Sequence, residues 1–235
     1  MGEAQSQVIV IWWGLTWEIK EFMMRTIKAV IAALLLAVVL SGLSLAVYLG
    51  KHIWTGNQHA VLPLSVYRSA QLNAPALNTL WAQHHIHSII NLRGAHPEAL
   101  WYQDEMRLVK AHHLQHFDIA LPAHGRATYP QLRRLTGVLA QARPPVLIHC
   151  RQGADRTGLA SAMALLLLGA ATDPLAIKAQ MSWRYGIVSG HSVGYQVFSN
   201  YFDFLAHRHL QMNPSSWRRW LAQAPPMTPR YGYWY

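Results

Sequence analysis

A single cysteine, Cys150, stands six positions before Arg156 and directly after the short run 146–149. The pattern predicts a buried strand, a tight loop and the start of a helix. The first N–H groups of a helix have no backbone acceptor and its dipole favours negative charge, so such a loop binds anions. Arg156 can hold two phosphoryl oxygens at once. The same positive field stabilises a thiolate at Cys150, which predicts a nucleophile in a phosphate-binding loop.

Neighbouring residues fit this chemistry. Gly153 lets the backbone approach a ligand or adopt a positive φ. The hydroxyl of Thr157 can donate to the thiolate, and His149 can orient the loop from beneath. Arg68 and Arg93 end two other predicted strands, where α/β folds place their ligands, so we expect both to line the pocket.

The alternative is an inert thiol, because cysteine is among the most frequently buried residues. That reading does not explain why the cysteine stands at the carboxyl end of a strand with an arginine and a threonine at the following helix start. We therefore favour the nucleophile.

The composition narrows the class of protein. Hydrophobic residues make up 52% of the chain and charged residues only 13%, which indicates membrane contact. The net charge of +10 favours anionic partners. The sequence has no nucleic-acid-binding module, so we expect no nucleic-acid partner. One cysteine allows no internal disulfide and is a poor framework for a metal site, so no metal is expected.

Residues 29–50 carry no charge and are apolar on every side, which predicts a transmembrane helix rather than a buried core helix. Lys20, Arg25 and Lys28 precede this segment and only Lys51 follows closely, so we expect a single-pass inner-membrane protein with its catalytic domain in the periplasm. A cleaved signal peptide ending at the small residues 44–46 is the alternative. Translation can also begin at Met23 or Met24.

The rest of the chain alternates strands with helices of ten to fifteen residues, which predicts an α/β fold with a central, mostly parallel sheet flanked by helices. We expect the order to be N-terminal extension, transmembrane anchor, linker, phosphate-binding domain and tail, at residues 1–28, 29–50, 51–64, 65–207 and 208–235. The tail mixes cations with aromatic rings, so it is either a membrane-interface segment or a peripheral helix with a frayed end.

The loop 149–158 resembles the signature of the protein tyrosine and dual-specificity phosphatase superfamily. The resemblance covers about Tyr67 to Tyr201. The stretches 67–71, 90–94 and 153–158 are similar to a bacterial dual-specificity-like branch with membrane-anchored and periplasmic members. The resemblance implies a cysteinyl-phosphate intermediate and no cofactor. It assigns phosphoryl binding to the loop, whose residues are Arg151, Gln152, Gly153, Ala154 and Arg156.

The resemblance also implies an aspartate upstream that protonates the leaving oxygen, but residues 121–130 contain no acid. Asp155 is the first candidate, since myotubularin-like phosphatases carry an aspartate at this loop position; a structural partner for an amide or arginine is the alternative. Asp118 and His124 are further candidates. Glu105 falls in the middle of a predicted helix, where we expect it to be solvated.

Three functions are compatible with these patterns. The first is a phosphatase acting on phosphotyrosine- or phosphoserine-type esters in proteins. The second acts on a phospholipid headgroup such as that of phosphatidylglycerophosphate. The third is a module that binds phosphate without turning it over.

Overall fold

The computed structural model describes residues 2–169, 173–187 and 192–229, which fall into two compact units, Met1–Lys51 and His52–Tyr235. The first unit is formed by helix α1, Gly2–Trp54, which runs unbroken through the boundary expected near residue 28. Its stretch Ile19–Tyr48 is long and apolar enough to cross a membrane. This stretch agrees with the apolar helix predicted at residues 29–50 but starts ten residues earlier.

The second unit is an α/β domain. Its strands are β1 (His59–Leu62), β2 (Val66–Ser69), β3 (Ser88–Asn91), β4 (Gln115–Asp118) and β5 (Val146–His149). Its α-helices are α2 (Ala74–His84), α3 (Leu100–Ala111), α4 (Tyr129–Gln141), α5 (Asp155–Leu167), α6 (Pro174–Ala179), α7 (Val193–His207) and α8 (Pro214–Gln223). A 3₁₀ turn, Trp183–Tyr185, lies between α6 and α7.

The five strands form one sheet in the order β1-β2-β5-β3-β4. Strands β2, β5, β3 and β4 are parallel, and β1 pairs antiparallel with β2 at the edge. His149, at the end of β5, is in register with Ser69 on one side and Asn91 on the other. The α/β fold with a mostly parallel sheet is therefore confirmed, and β5 lies at its centre.

Alternating side chains of β5 enter two cores, as expected for a central strand covered on both faces. Leu147 packs with apolar residues of α2 and α3. Val146 and Ile148 pack with residues of α4, α5, α7 and α8. Cys150 belongs to this second, larger core.

Two helices begin at side chains that cap them. Asn73 Oδ1 accepts a hydrogen bond from the Ala76 N–H at 3.0 Å at the start of α2. At the start of α4, Thr128 and Gln131 form a reciprocal capping box. Such caps satisfy N–H groups that have no intrahelical partner.

The domain extends beyond its expected limits of 65 and 207. The segment expected as a linker, 51–64, contains β1, whose hydrogen bonds to β2 complete the edge of the sheet. The segment expected as a tail contains α8, in which Trp217 and Trp220 are fully buried in the larger core. Both are corrections, since these segments are part of the packed domain; residues 230–235 lie outside the described residues.

Candidate active site

Cys150 follows the central strand directly and its side chain is buried, with 3% of its surface exposed. Five residues separate it from Arg156 in the first turn of α5. The loop between them therefore lies at the carboxyl end of the parallel strands, where α/β folds bind ligands.

The loop leaves its backbone donors unused. The N–H groups of residues 151–154 donate to no acceptor among the described residues. Gly153 has a φ of +67°, and a Cβ there would lie 2.5 Å from the Ala70 nitrogen and 2.6 Å from the Ser69 carbonyl carbon. Only glycine fits this close approach to β2, so the turn that frees the N–H groups depends on it.

Positive charge surrounds the open side of the loop. Arg151 and Gln152 are exposed, and Arg156 is half-buried with Nη1 donating to the Leu92 carbonyl oxygen at 3.4 Å. Burial, followed by the positive charges of Arg156 and Arg151, lowers the pKa of Arg93, whereas a thiolate at Cys150 opposes that shift. Arg93 thus belongs to the same cationic group as the loop arginines, and its role in lining the pocket stays a prediction.

Arg68 occupies a different place from the one predicted. Its side chain is fully buried and donates to the carbonyl oxygens of Gly153 at 2.9 Å and Ala154 at 3.3 Å. The guanidinium also lies 3.7 Å from the ring centroid of Tyr185 and donates to Gln180. Burial lowers the pKa of Arg68 to about 10. Arg68 therefore holds the loop from beneath and does not line the pocket.

Thr157 is also placed differently. Its side chain is fully buried, and Oγ1 makes no hydrogen bond to Cys150 or to any other described residue. The expected hydroxyl donation to the sulfur is absent from this conformation of the loop.

The carboxylate of Asp155 faces the start of α7. It accepts from Ser192 Oγ at 2.6 Å and from the Val193 N–H at 3.1 Å. A carboxylate at a helix N-terminus satisfies free donors and complements the helix dipole. These contacts favour the structural role that the sequence left open for Asp155.

The other acid candidates are on β4 and in the loop that follows it. Asp118 ends β4 and accepts from Tyr102 Oη at 2.6 Å and from Asn91 Nδ2 at 2.7 Å. His124 is exposed in the loop between β4 and α4. No group of three or more His, Cys, Asp or Glu side chains among the described residues is arranged to hold a metal ion.

Glu105 is not solvated as expected but has only 1% of its surface exposed. Its Oε2 lies 2.9 Å from His149 Nε2, and its Oε1 lies 2.9 Å from His116 Nε2. Burial alone would raise the pKa of Glu105, but the charge of His149 and the contacts with both histidines hold it well below its usual range. The sequence pattern of α3 gave no signal for this contact.

Asn57 is a second site residue that the sequence did not reveal. It is buried, and Nδ2 donates to the carbonyl oxygens of Gln152 at 3.1 Å and Tyr185 at 3.0 Å. The neighbouring Gly56 carbonyl oxygen accepts from the Ala70 N–H at 2.7 Å. The segment just after α1 is therefore fastened to the loop.

The sequence matches a known protein family. A sequence model described as the tyrosine phosphatase family matches residues 49–177, more than half of the chain. No curated protein matches the chain at a significant level.

Solved structures show the same fold. The core catalytic domain of the PP-IP phosphatase SIW14 from S. cerevisiae, in complex with citrate, is 22% identical with a TM-score of 0.51, covering 70% of this chain and 94% of that one. A second structure of the Siw14 catalytic core is 20% identical with a TM-score of 0.50, covering 70% and 93%.

Proposed function

The chain belongs to the tyrosine phosphatase family, and we propose that it hydrolyses phosphate monoesters through a cysteinyl-phosphate intermediate on Cys150. The observation that supports this most directly is the loop itself. Four consecutive N–H groups, at residues 151–154, are free of acceptors among the described residues and stand between Cys150 and Arg156. Such donors stabilise the charge that develops on a transferring phosphoryl group.

The proposed reaction has two steps. In the first, the sulfur of Cys150 forms a bond to phosphorus while the bond to the leaving oxygen breaks, and a general acid protonates that oxygen. In the second, the oxygen of a water molecule bonds to phosphorus and the sulfur–phosphorus bond breaks. The conjugate base takes the proton of the water, inorganic phosphate leaves and the thiolate returns.

The loop amides and Arg156 hold the phosphoryl oxygens in this proposal, with Arg151 and Arg93 adding positive charge at the rim. Arg68 supports the loop by its hydrogen bonds to the carbonyl oxygens of Gly153 and Ala154. The general acid stays a prediction, and its three candidates are Asp155, Asp118 and His124.

The full chain in detergent micelles tests the proposal by phosphate release from an aryl phosphate. We expect turnover by the native chain, none by Cys150→Ser, and similar affinity of both for inorganic phosphate. Turnover by Cys150→Ser would overturn the covalent step. A folded native chain that binds phosphate but releases none from the ester would instead be a phosphate-binding module.

We further propose that α1 anchors the protein in the inner membrane, with the phosphatase domain in the periplasm. The apolar stretch Ile19–Tyr48 supports the anchor. Within it, Lys20, Arg25 and Lys28 lie on the N-terminal side of the uncharged residues 29–50 and only Lys51 follows closely, which supports the orientation. Protease added to spheroplasts should degrade the domain; a protected domain would reverse the orientation. A mature chain that lacks residues 1–46 would show a cleaved signal peptide instead.

A phospholipid headgroup is the second candidate substrate. The apolar stretch Ile19–Tyr48 supports it, because an anchored chain shares the membrane with such a substrate. The net charge of +10 supports it as well, because a basic chain favours anionic partners.

Vesicles distinguish the two substrates. We expect the reconstituted chain to release phosphate from a phosphomonoester lipid in its own vesicle and not from the same lipid in separate vesicles. Hydrolysis confined to phosphopeptides would exclude the lipid and retain the phosphatase.

A further inference from the structure

The buried carboxylate of Glu105 joins two histidines, one of which immediately precedes the cysteine nucleophile. His149 and His116 each place Nε2 2.9 Å from one oxygen of the carboxylate. The three side chains come from α3, β5 and β4, and each is at most 8% exposed. An isolated charge at this depth would be costly, so the contacts are what retain it there.

The orientation of the His149 ring depends on its contact with Glu105. Neither ring nitrogen of His149 has a hydrogen-bond partner among the described residues, but Nε2 lies 2.9 Å from Glu105 Oε2, within ion-pair distance. His116 Nε2, in contrast, hydrogen-bonds to Glu105 Oε1 at 2.9 Å, and because an ionised carboxylate only accepts hydrogen bonds, this nitrogen carries a proton. Glu105 is therefore the charged group that contacts the His149 ring and favours its observed direction.

The same carboxylate reaches the pocket by a second route. Gln71 Nε2 donates to Glu105 Oε2 at 3.4 Å, and Gln71 Oε1 accepts from Arg93 Nη1 at 3.4 Å. The backbone N–H of Gln71 also donates to the Arg151 carbonyl oxygen at 3.2 Å. Glu105 thus contacts His149, which immediately precedes Cys150. It also contacts Gln71, which hydrogen-bonds to the backbone of the loop and to the side chain of Arg93.

From this geometry we propose that Glu105 is a positioning residue for the phosphatase reaction, a role that rests on the function proposed above. It orients His149, and thereby the backbone that carries Cys150, on the α2–α3 face of the sheet. Arg68 supports the loop from the opposite face through the carbonyl oxygens of Gly153 and Ala154. The nucleophile is then held between two buried ionic groups of opposite sign.

Glu105→Gln tests this assignment because it keeps the shape and removes the charge. The variant amide carries no charge opposite the ring of His149, and it presents N–H groups or a weaker acceptor to the N–H group of His116, so the ring of His149 loses its fixed direction. A misplacement of about 1 Å commonly costs about 100-fold in rate. For the full chain in micelles with an aryl phosphate we expect kcat to fall by about 10- to 100-fold, with the inhibition constant of inorganic phosphate changed less than about threefold.

Two matched variants separate positioning from simple stabilisation. Asp104→Asn makes the same chemical change on the surface of α3, where Asp104 pairs with Arg107 at 2.7 Å, and should leave kcat unchanged. His116→Gln removes the outer contact of Glu105 but retains the contact with His149. It should lower the unfolding midpoint as Glu105→Gln does, with a smaller loss of kcat.

An unchanged kcat in Glu105→Gln would overturn the positioning role. The role would also be overturned if Glu105→Gln and His116→Gln had equal unfolding midpoints and lost kcat equally. Where Glu105→Gln does not fold, Glu105→Asp decides. It keeps the charge but shortens the reach, so kcat should fall while phosphate binding persists; native kcat would overturn the proposal. A native chain inactive on aryl phosphate would remove the proposed function and this role together.

Discussion

The side-chain amide of Asn57 hydrogen-bonds to the carbonyl oxygen of Gln152 at 3.1 Å, which links the segment after α1 to the catalytic loop across 95 positions of sequence. The same nitrogen donates to the Tyr185 carbonyl oxygen at 3.0 Å, and Tyr185 lies against Arg68. Asn57 therefore constrains the loop from its outer side while Arg68 constrains it from beneath.

Asn57→Ala should weaken the loop. The carbonyl oxygens of Gln152 and Tyr185 lose their donor, and the loss at a buried group typically costs about 1–3 kcal/mol in the free energy of unfolding. We expect that loss in chemical denaturation, together with a severalfold lower kcat/KM on aryl phosphate. Asn78→Ala is the control, since exposed Asn78 donates only within α2, and its change should stay within about 0.5 kcal/mol. Equal effects of the two substitutions would contradict the role of Asn57.

Gly153→Ala should disrupt the phosphate-binding turn. The added Cβ would lie within 2.7 Å of backbone atoms of Ser69 and Ala70, at a φ of +67°. We expect a loss of about 2 kcal/mol or more in stability and weaker phosphate binding by calorimetry. Gly137→Ala, on the exposed side of α4 with no atom within 4 Å of the new Cβ, should gain about 0.5–1 kcal/mol. Native phosphate affinity in Gly153→Ala would show that the turn tolerates a side chain.

Asp155→Asn should act through α7 rather than through proton transfer. Its carboxylate accepts from Ser192 Oγ and from the Val193 N–H, so we expect a lower unfolding midpoint and similar rate losses on aryl and alkyl phosphates. A general acid matters most for the alkyl phosphate, whose leaving oxygen is the more basic. A loss confined to the alkyl phosphate would make Asp155 the acid. If Asp155→Asn shows no such loss, Asp118→Asn and His124→Ala are measured on the same two esters. The variant whose rate falls mainly on the alkyl phosphate identifies the acid.

The strand, loop and helix around Cys150 could be predicted because their signals are local. The apolar run of β5, the glycine and the Cys150–Arg156 spacing all lie within thirteen residues. The alternation of helices and strands likewise predicted the parallel sheet. The residues whose positions were predicted incorrectly are those that depend on contacts with residues distant along the chain.

Glu105 and Arg68 illustrate that limit. Glu105 lies 44 positions from His149, and a carboxylate in the middle of a helix is usually solvated. Arg68 was placed at the correct strand end but points beneath the loop, which only the packing of Tyr185 and Gln180 determines. Trp217 and Trp220 lie beside cations in the sequence, which is typical of a membrane-interface segment. Trp217 instead packs on α7 and hydrogen-bonds to Thr136 of α4, and these helices are distant in the sequence.

The ionised state of Glu105 also makes stability depend on pH. The pKa of Glu105 is lowered in the folded chain, against about 4.3 for an unperturbed glutamate. The stability that this carboxylate contributes is therefore fully present above about pH 5 and is lost as the pH falls below about 4, because the unfolded chain then binds a proton that the folded chain does not. Glu105→Gln lacks this contribution at every pH.

The difference in free energy of unfolding between the native chain and Glu105→Gln should consequently be largest between pH 5 and 7 and should shrink towards pH 3. Urea titrations of the full chain in micelles at pH 3, 4, 5 and 7 measure it. Asp104→Asn should show a small difference that hardly changes, since exposed ion pairs contribute little. A difference for Glu105→Gln that grows towards acid pH would mean that Glu105 is protonated in the folded chain, and that its two histidine contacts do not hold a charge.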